Sequence, residues 1–166
     1  MFNKITIIGL GLIGSSIARA IKKKHLCKNL VAHDKSKIVL KKIVKLKITN
    51  HIEPNLKKSV QDSDLVIICT PLGTYKNIVS VIKNNLKNTC ILTDVGSAKI
   101  FVTNTVNKLI NKNIIWIPAH PVAGTEQSGP EAGFADLFKN RWCIITPINK
   151  KNPTPLKKLN NFWKKI

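Results

Sequence analysis

The 166 residues carry 28 Lys+Arg against 8 Asp+Glu, a formal net charge of +20, with 43% hydrophobic content. That length predicts one domain, residues 1–166, burying roughly 70% of its unfolded surface around one core. It is short for an enzyme with separate cofactor and substrate domains. The aliphatic content excludes a disordered chain, and no run approaches the roughly 20 apolar residues of a membrane-spanning helix.

The cations are spread along the chain, and only Arg19 and Arg141 are arginines, the better bidentate ligands of phosphate and guanine edges. A dispersed lysine excess predicts solvated helix faces and no nucleic-acid partner, although such a field would attract a substrate with several carboxylates. Cys27, Cys69, Cys90 and Cys143 form no C-x-x-C pair and no metal-ligand spacing with His25, His33 or His51. No metal site is expected. Cys69, Cys90 and Cys143 fall in apolar runs and read as small core residues, which suits a reducing cytoplasm. The apolar stretch 5–17 imitates a signal peptide, but its three spaced glycines and the charged tail of the following helix argue against that.

In chain order, residues 4–9 read as a buried first strand and 12–24 as a helix ending in a basic turn, where cations oppose the dipole. Residues 30–34 give a second strand, 36–44 a helix with Ser36 as N-cap, and 43–48 a short third strand. A fourth strand at 65–69 is stopped by Pro71, followed by a helix at 75–86, a fifth strand at 90–94 and a helix at 98–110. A sixth strand at 114–118 leads into a long loop, 119–138, rich in Gly, Ser, Thr and Glu. Strand character returns at 141–147, and a helix begins at Leu156. Alternating strands and helices call for an α/β fold: a Rossmann-type, doubly wound, mostly parallel sheet.

Gly9-Leu10-Gly11-Leu12-Ile13-Gly14 lies between the first strand and first helix. A lone G-x-G-x-x-G is a weak signal, since glycines also mark ordinary turns. In this context Gly9 makes the tight turn, Gly11 lets backbone approach a pyrophosphate, and Gly14 lets helix and strand pack closely. The helix N-terminus adds N–H groups and a positive dipole end. Asp34, twenty residues after Gly14, can accept the ribose hydroxyls of NAD and would repel the 2′-phosphate of NADP. Lys35 offsets part of that repulsion, so NAD is favoured and NADP tolerated less. Thr70 and Pro71 end the fourth strand where an open sheet lines its cofactor crevice, although the pair also reads as a plain strand stop.

His120 follows the sixth strand, between Ala119 and Pro121, and heads the loop carrying Thr125 and Glu126. At the carboxyl end of a strand in a dinucleotide fold, a histidine points to proton transfer. In TDVGSAK, residues 93–99, Ser97 is either the cap of the next helix or a site residue.

GLGLIGSSIA, VAHDKS, the ICTP strand end, TDVGSAK and above all HPVAGTEQSGPEAG resemble the prephenate and arogenate dehydrogenases of tyrosine biosynthesis, from Ile5 to about Trp163. The resemblance implies NAD-dependent oxidative decarboxylation of prephenate to 4-hydroxyphenylpyruvate. His120 would take the proton of the ring C4 hydroxyl, Ser97 would share that hydrogen bond or orient His120, and Thr125 and Glu126 would line the substrate pocket. Arogenate is the nearest alternative substrate. Family members add a helical domain that closes the site, forms the homodimer and supplies basic side chains for the substrate carboxylates. The sequence ends within the helix before the expected last strand, so that strand and the helical domain are expected to be missing. Two readings stay open: a dehydrogenase whose other half is separate, or an NAD-binding chain without turnover. The tail residues Leu156, Leu159, Phe162 and Trp163 are either core or an exposed face.

Overall fold

The computed structural model describes residues 2–147 and 153–166. Strands β1 (Phe2–Ile8), β2 (Cys27–His33), β3 (His51–Ile52), β4 (Leu65–Ile68), β5 (Ile91–Asp94) and β6 (Ile115–Trp116) form one parallel sheet in the order β3-β2-β1-β4-β5-β6. The strand order reverses between β1 and β4, the place where an open sheet offers a crevice. Helices α1 (Leu12–Lys23), α2 (Lys37–Lys45), α3 (Leu56–Val60), α4 (Tyr75–Ile82), α5 (Lys99–Asn107) and α6 (Pro153–Lys165) cover both faces. All four residues of β4 are therefore buried, which is why its sequence is an unbroken apolar run.

The period of two divides the sheet into two cores. Ile5, Ile7, Leu65 and Ile67 face α1, through Ile17 and Ile21, and α6, through Leu159, Phe162 and Trp163. Ile8, Val66, Ile68 and Leu92 face α4 and α5, through Val79, Ile82, Val102 and Val106. The apolar face of the tail is thus core: Phe162 meets Phe2 edge-on at 6.0 Å, and Trp163 meets Phe138 at 6.0 Å. Each such pair adds about 1 kcal/mol beyond its burial.

Several boundaries differ from expectation. Ser36 caps α2, accepting from the Val39 N–H at 3.3 Å. Residues 43–48, expected as a third strand, instead finish α2 and turn. Leu40 and Ile43 are buried with helical spacing, Lys47 adopts φ of 52°, and the Ile48 N–H bonds back to the Ile43 carbonyl at 3.0 Å. That 6→1 bond closes a helix C-terminus. The third strand is the two-residue β3, and α3, which sequence periodicity did not reveal, follows it. The helix expected at 75–86 ends at Ile82, the one expected at 98–110 shrinks to Lys99–Asn107, and α6 begins at Pro153, ahead of Leu156. Among the described residues, no helix is long and apolar enough to cross a membrane.

Asp64, just ahead of β4, closes the amino-terminal edge of the sheet. Its carboxylate accepts from the Asn3 and Lys4 backbone N–H groups and pairs with Lys87. Burial works to raise its pKa, but Lys87 and the two backbone donors outweigh this and hold it below the ordinary 3.8. A depressed carboxylate stabilises the fold above its unfolded pKa, and that contribution is lost as pH falls through the lower folded value. Asp64→Asn is expected to cost about 2 kcal/mol at neutral pH. In urea titrations the difference from the parent should shrink as pH falls below about 4.

Candidate active site

The carboxyl edge of the sheet collects residues from four separate segments. Ile8 is in register with His33 on one side and Ile68 on the other, and Ile68 is in register with Asp94. The residues immediately beyond those positions, Asp34, Gly9, Cys69-Thr70 and Val95, therefore line up along one edge.

Gly9 turns there with φ of 93°, a region L side chains rarely adopt, and a Cβ on it would lie 2.7 Å from Thr70 Cγ2. Gly14 is tighter still: an added Cβ would sit 1.9 Å from the Gly9 carbonyl oxygen and 3.2 Å from Cys69 Cβ. A Cβ on Gly11 would meet nothing within 4 Å, so the open side of the turn lies at this residue, which is also the N-cap of α1. Gly11 brings no capping side chain to the first amides of α1. Backbone donors around an open hollow are what a pyrophosphate requires. Leu10 is fully buried, while Leu12 and Ile13 are half-buried and pack against the core beneath the turn.

Asp34 is tied to this turn. One carboxylate oxygen accepts from the Leu10 N–H at 2.9 Å, and the other accepts from the Ser36 N–H at 2.9 Å. Its charge is thus fixed at the carboxyl end of β2. Thr70 is held by Thr74, whose hydroxyl donates to Thr70 Oγ1 at 2.8 Å, and Pro71 opens the 3-10 turn that leads into α4.

His120 was expected in a loop following the sixth strand. Instead it is the central residue of a short strand of its own, β7 (Ala119–Pro121), paired antiparallel with β8 (Cys143–Ile145), with His120 opposite Ile144. The 141–147 strand is accordingly shorter than expected and outside the parallel sheet. After Ile117 the chain parts from β5 and pairs instead with the segment around β8, through Thr146 N–H to Pro118 O at 2.9 Å and Val122 N–H to Trp142 O at 2.8 Å. The imidazole is half-buried.

Ser97 does not cap α5. The N-cap is Ala98, with no side-chain bond, and Ser97 stands exposed. It rims a shallow hollow of about 670 Å³ that Lys99, Ile100 and Phe101 also line. Sequence reasoning missed its neighbour Asp94, which is fully buried, with both oxygens 2.6 Å from Lys99 Nζ and the Tyr75 hydroxyl donating to it at 3.2 Å. Burial pushes the Lys99 pKa below 10.5 while the Asp94 charge opposes the shift. An acidic residue ending a strand, with Lys five positions on, was the available signal.

Thr125 and Glu126 are exposed near the apex of the loop, where Thr125 Oγ1 accepts from the Gln127 N–H at 3.2 Å. The loop then returns along α1. A Cβ on Gly133 would be 2.1 Å from Ser15 Oγ, the Phe134 N–H donates to Ser16 Oγ at 3.1 Å, and Glu131 pairs with Lys42. All four cysteines are free, and among the described residues no group of three or more His, Cys, Asp or Glu could hold a metal ion.

A doubly wound parallel sheet with an open glycine turn at its reversal point defines a Rossmann-type, nucleotide-binding domain. Comparison with known proteins narrows this: residues 17–166 match the family described as the prephenate dehydrogenase nucleotide-binding domain, and the chain belongs to that family. It is 35% identical over its whole length to a cyclohexadienyl dehydrogenase of Zymomonas mobilis, covering 56% of that relative. It is 32% identical to a prephenate dehydrogenase of Bacillus subtilis, with 99% of the chain covering 44% of the relative. The chain thus spans about half the length of the relatives it matches. Among solved structures, Synechocystis arogenate dehydrogenase superposes with a TM-score of 0.86 at 26% identity, over 97% of this chain and 56% of that one. An Aquifex aeolicus prephenate dehydrogenase, solved with hydroxyphenyl propionate and NAD+, shares the fold at TM-score 0.83 and 23% identity, over 99% of this chain and 57% of that one.

Proposed function

We propose that this chain is the NAD-binding half of a dehydrogenase that oxidatively decarboxylates prephenate to 4-hydroxyphenylpyruvate. The observation that carries the reading is the alignment of Asp34, Gly9, Thr70, Asp94 and the His120 strand along one sheet edge, from segments far apart in sequence. NAD, when bound, supplies the acceptor for the hydride that leaves ring C4.

The chain's own residues do the rest. The glycine turn, from Gly9 through Leu10, Gly11, Leu12 and Ile13 to Gly14, and the first amides of α1 receive the pyrophosphate. Asp34, fixed by Leu10 and Ser36, accepts the ribose hydroxyls. Thr70 and Pro71 wall the crevice above β4. His120 accepts the proton of the C4 hydroxyl, and loss of the ring carboxylate as CO₂ then restores aromaticity. Because that gain drives the reaction, the protein mainly aligns the base and the ring. Ser97 bonds the same hydroxyl or orients His120, and Thr125 and Glu126 border the substrate from the exposed loop apex. The Asp34 charge disfavours a 2′-phosphate, with exposed Lys35 offsetting part of the repulsion. Four free thiols suit the reducing cytoplasm.

Arogenate is the second substrate, favoured by the likeness to Synechocystis arogenate dehydrogenase. The test is an NAD and NADP titration of the chain, followed by NADH formation with prephenate and with arogenate, for the chain alone and with the product of any downstream reading frame. NAD binding about tenfold tighter than NADP, and NADH formation that depends on prephenate, are expected. Binding without turnover in either setting would leave an NAD-binding module, and faster turnover of arogenate would reassign the substrate.

A further inference from the structure

β6 pairs with β5 only through Ile91–Ile115 and Leu92–Trp116. Beyond that point the chain bends away, yet it remains stitched to β5. The Ile117 N–H bonds to the Leu92 carbonyl at 3.0 Å, the last backbone tie. The Thr93 hydroxyl then donates to the Ile117 carbonyl at 2.7 Å. At Ala119, both backbone groups are taken by side chains: its N–H donates to Asp94 Oδ1 at 3.2 Å, and its carbonyl accepts from Lys99 Nζ at 2.7 Å. Side chains of one short motif have replaced the neighbouring strand.

On its other flank the segment is held by β8 and the residues beside it, through Thr146 N–H to Pro118 O at 2.9 Å and Val122 N–H to Trp142 O at 2.8 Å. The β7–β8 ladder is only three residues a side, with Ile144 53% exposed and Cys143 and Ile145 partly buried. So short a two-stranded ribbon is marginal alone, and the fully buried Ala119 is where β7 joins the core. The rigid reference is the carboxylate of Asp94, fully buried and also bonded by the Gly96 N–H at 3.0 Å and the Tyr75 hydroxyl.

We propose that the Asp94–Lys99 ion pair positions the catalytic base: by holding both backbone groups of Ala119, it fixes where β7 lies and hence where the His120 imidazole stands over the cofactor edge. A buried ion pair contributes little net stability against an apolar replacement, so its value here is geometric. Asp94 and Lys99 are positioning residues that act through the backbone of Ala119. The proposal rests on the reading of His120 as the proton acceptor, and its test separates the two.

Lys99→Met removes the donor to the Ala119 carbonyl while keeping side-chain length, and Lys99→Arg restores a cation. Should Lys99→Met leave Asp94 too poorly paired to fold, Asp94→Asn with Lys99→Met removes both charges together. In isotope-labelled protein, Lys99→Met or the double variant is expected to shift the Ala119 and His120 amide signals and the His120 ring Cε1–H signal. Signals from α1 and α6, and NAD affinity, should stay within error of the parent. In catalytically active protein, kcat should fall about tenfold to a hundredfold at nearly constant KM for prephenate, with partial recovery in Lys99→Arg. Unchanged His120 signals, shifts spread evenly over the whole domain, or a raised KM with unchanged kcat would each overturn the proposal, the last by making Lys99 a substrate ligand. If the parent protein has no turnover at all, the dehydrogenase reading fails, while the spectra still decide whether Lys99 positions β7.

Discussion

Gly14→Ala is expected to destabilise the chain by about 3 kcal/mol and to abolish measurable NAD binding. The added methyl would be placed 1.9 Å from the Gly9 carbonyl oxygen, with Cys69 Cβ 3.2 Å away on the other side. Neither obstacle can step aside, because the first is backbone in a turn already held at φ of 93° and the second sits at the end of a buried strand. Relief requires α1 to move off β1, which opens the core around Ile17 and Ile21 and pulls the first amides of the helix away from the turn. Urea denaturation followed by NAD titration checks both parts. The control is Gly11→Ala: its methyl would point into open space, so stability should stay within about 1 kcal/mol of the parent, the helix-neutral range, while NAD binding is expected to weaken because that is the space proposed for the pyrophosphate. Equal stability losses at the two positions would show that the turn is not the constraint described here.

His120→Asn should behave in the opposite way. The imidazole is half-buried at the surface of the domain, so fold stability should change little, and NAD affinity should hold because the glycine turn and Asp34 are untouched. In catalytically active protein, prephenate-dependent NADH formation should fall by about 10²- to 10⁴-fold, the usual contribution of a positioned general base. The loss belongs in kcat, since the base acts as the C–H bond breaks, with a smaller effect on KM. Near-normal turnover in His120→Asn would remove the assignment.

The fold was legible because a parallel sheet declares itself in one dimension. Buried strands such as Leu65–Ile68 have no polar face to disguise them, and Ser36 announces its helix by a local hydrogen bond. The misreadings have local causes as well. Residues 43–48 alternate plausibly as a strand, but the turn at Lys47 and the bond from Ile48 to Ile43 depend on the completed end of α2. Ser97 has the right residue type for a cap and yields that place to Ala98, because Lys99, the first residue of α5, is drawn to buried Asp94. β7 escaped notice because it is only three residues long, ends on a proline of its own, and pairs with a segment distant in sequence.

By itself the sequence determined the class of domain and the glycine turn between the first strand and the first helix, since each depends on residue type at fixed local spacing, and it nominated Asp34 and His120 as site residues. What only the tertiary structure decided is how those pieces meet. The register of β2, β1, β4 and β5 levels their carboxyl ends, and the side chains of Thr93, Asp94 and Lys99 carry the strand of His120 after backbone pairing stops. Such contacts join residues some twenty positions apart through a buried charge, and no local pattern encodes them because their strength comes from the low-dielectric interior that folding creates.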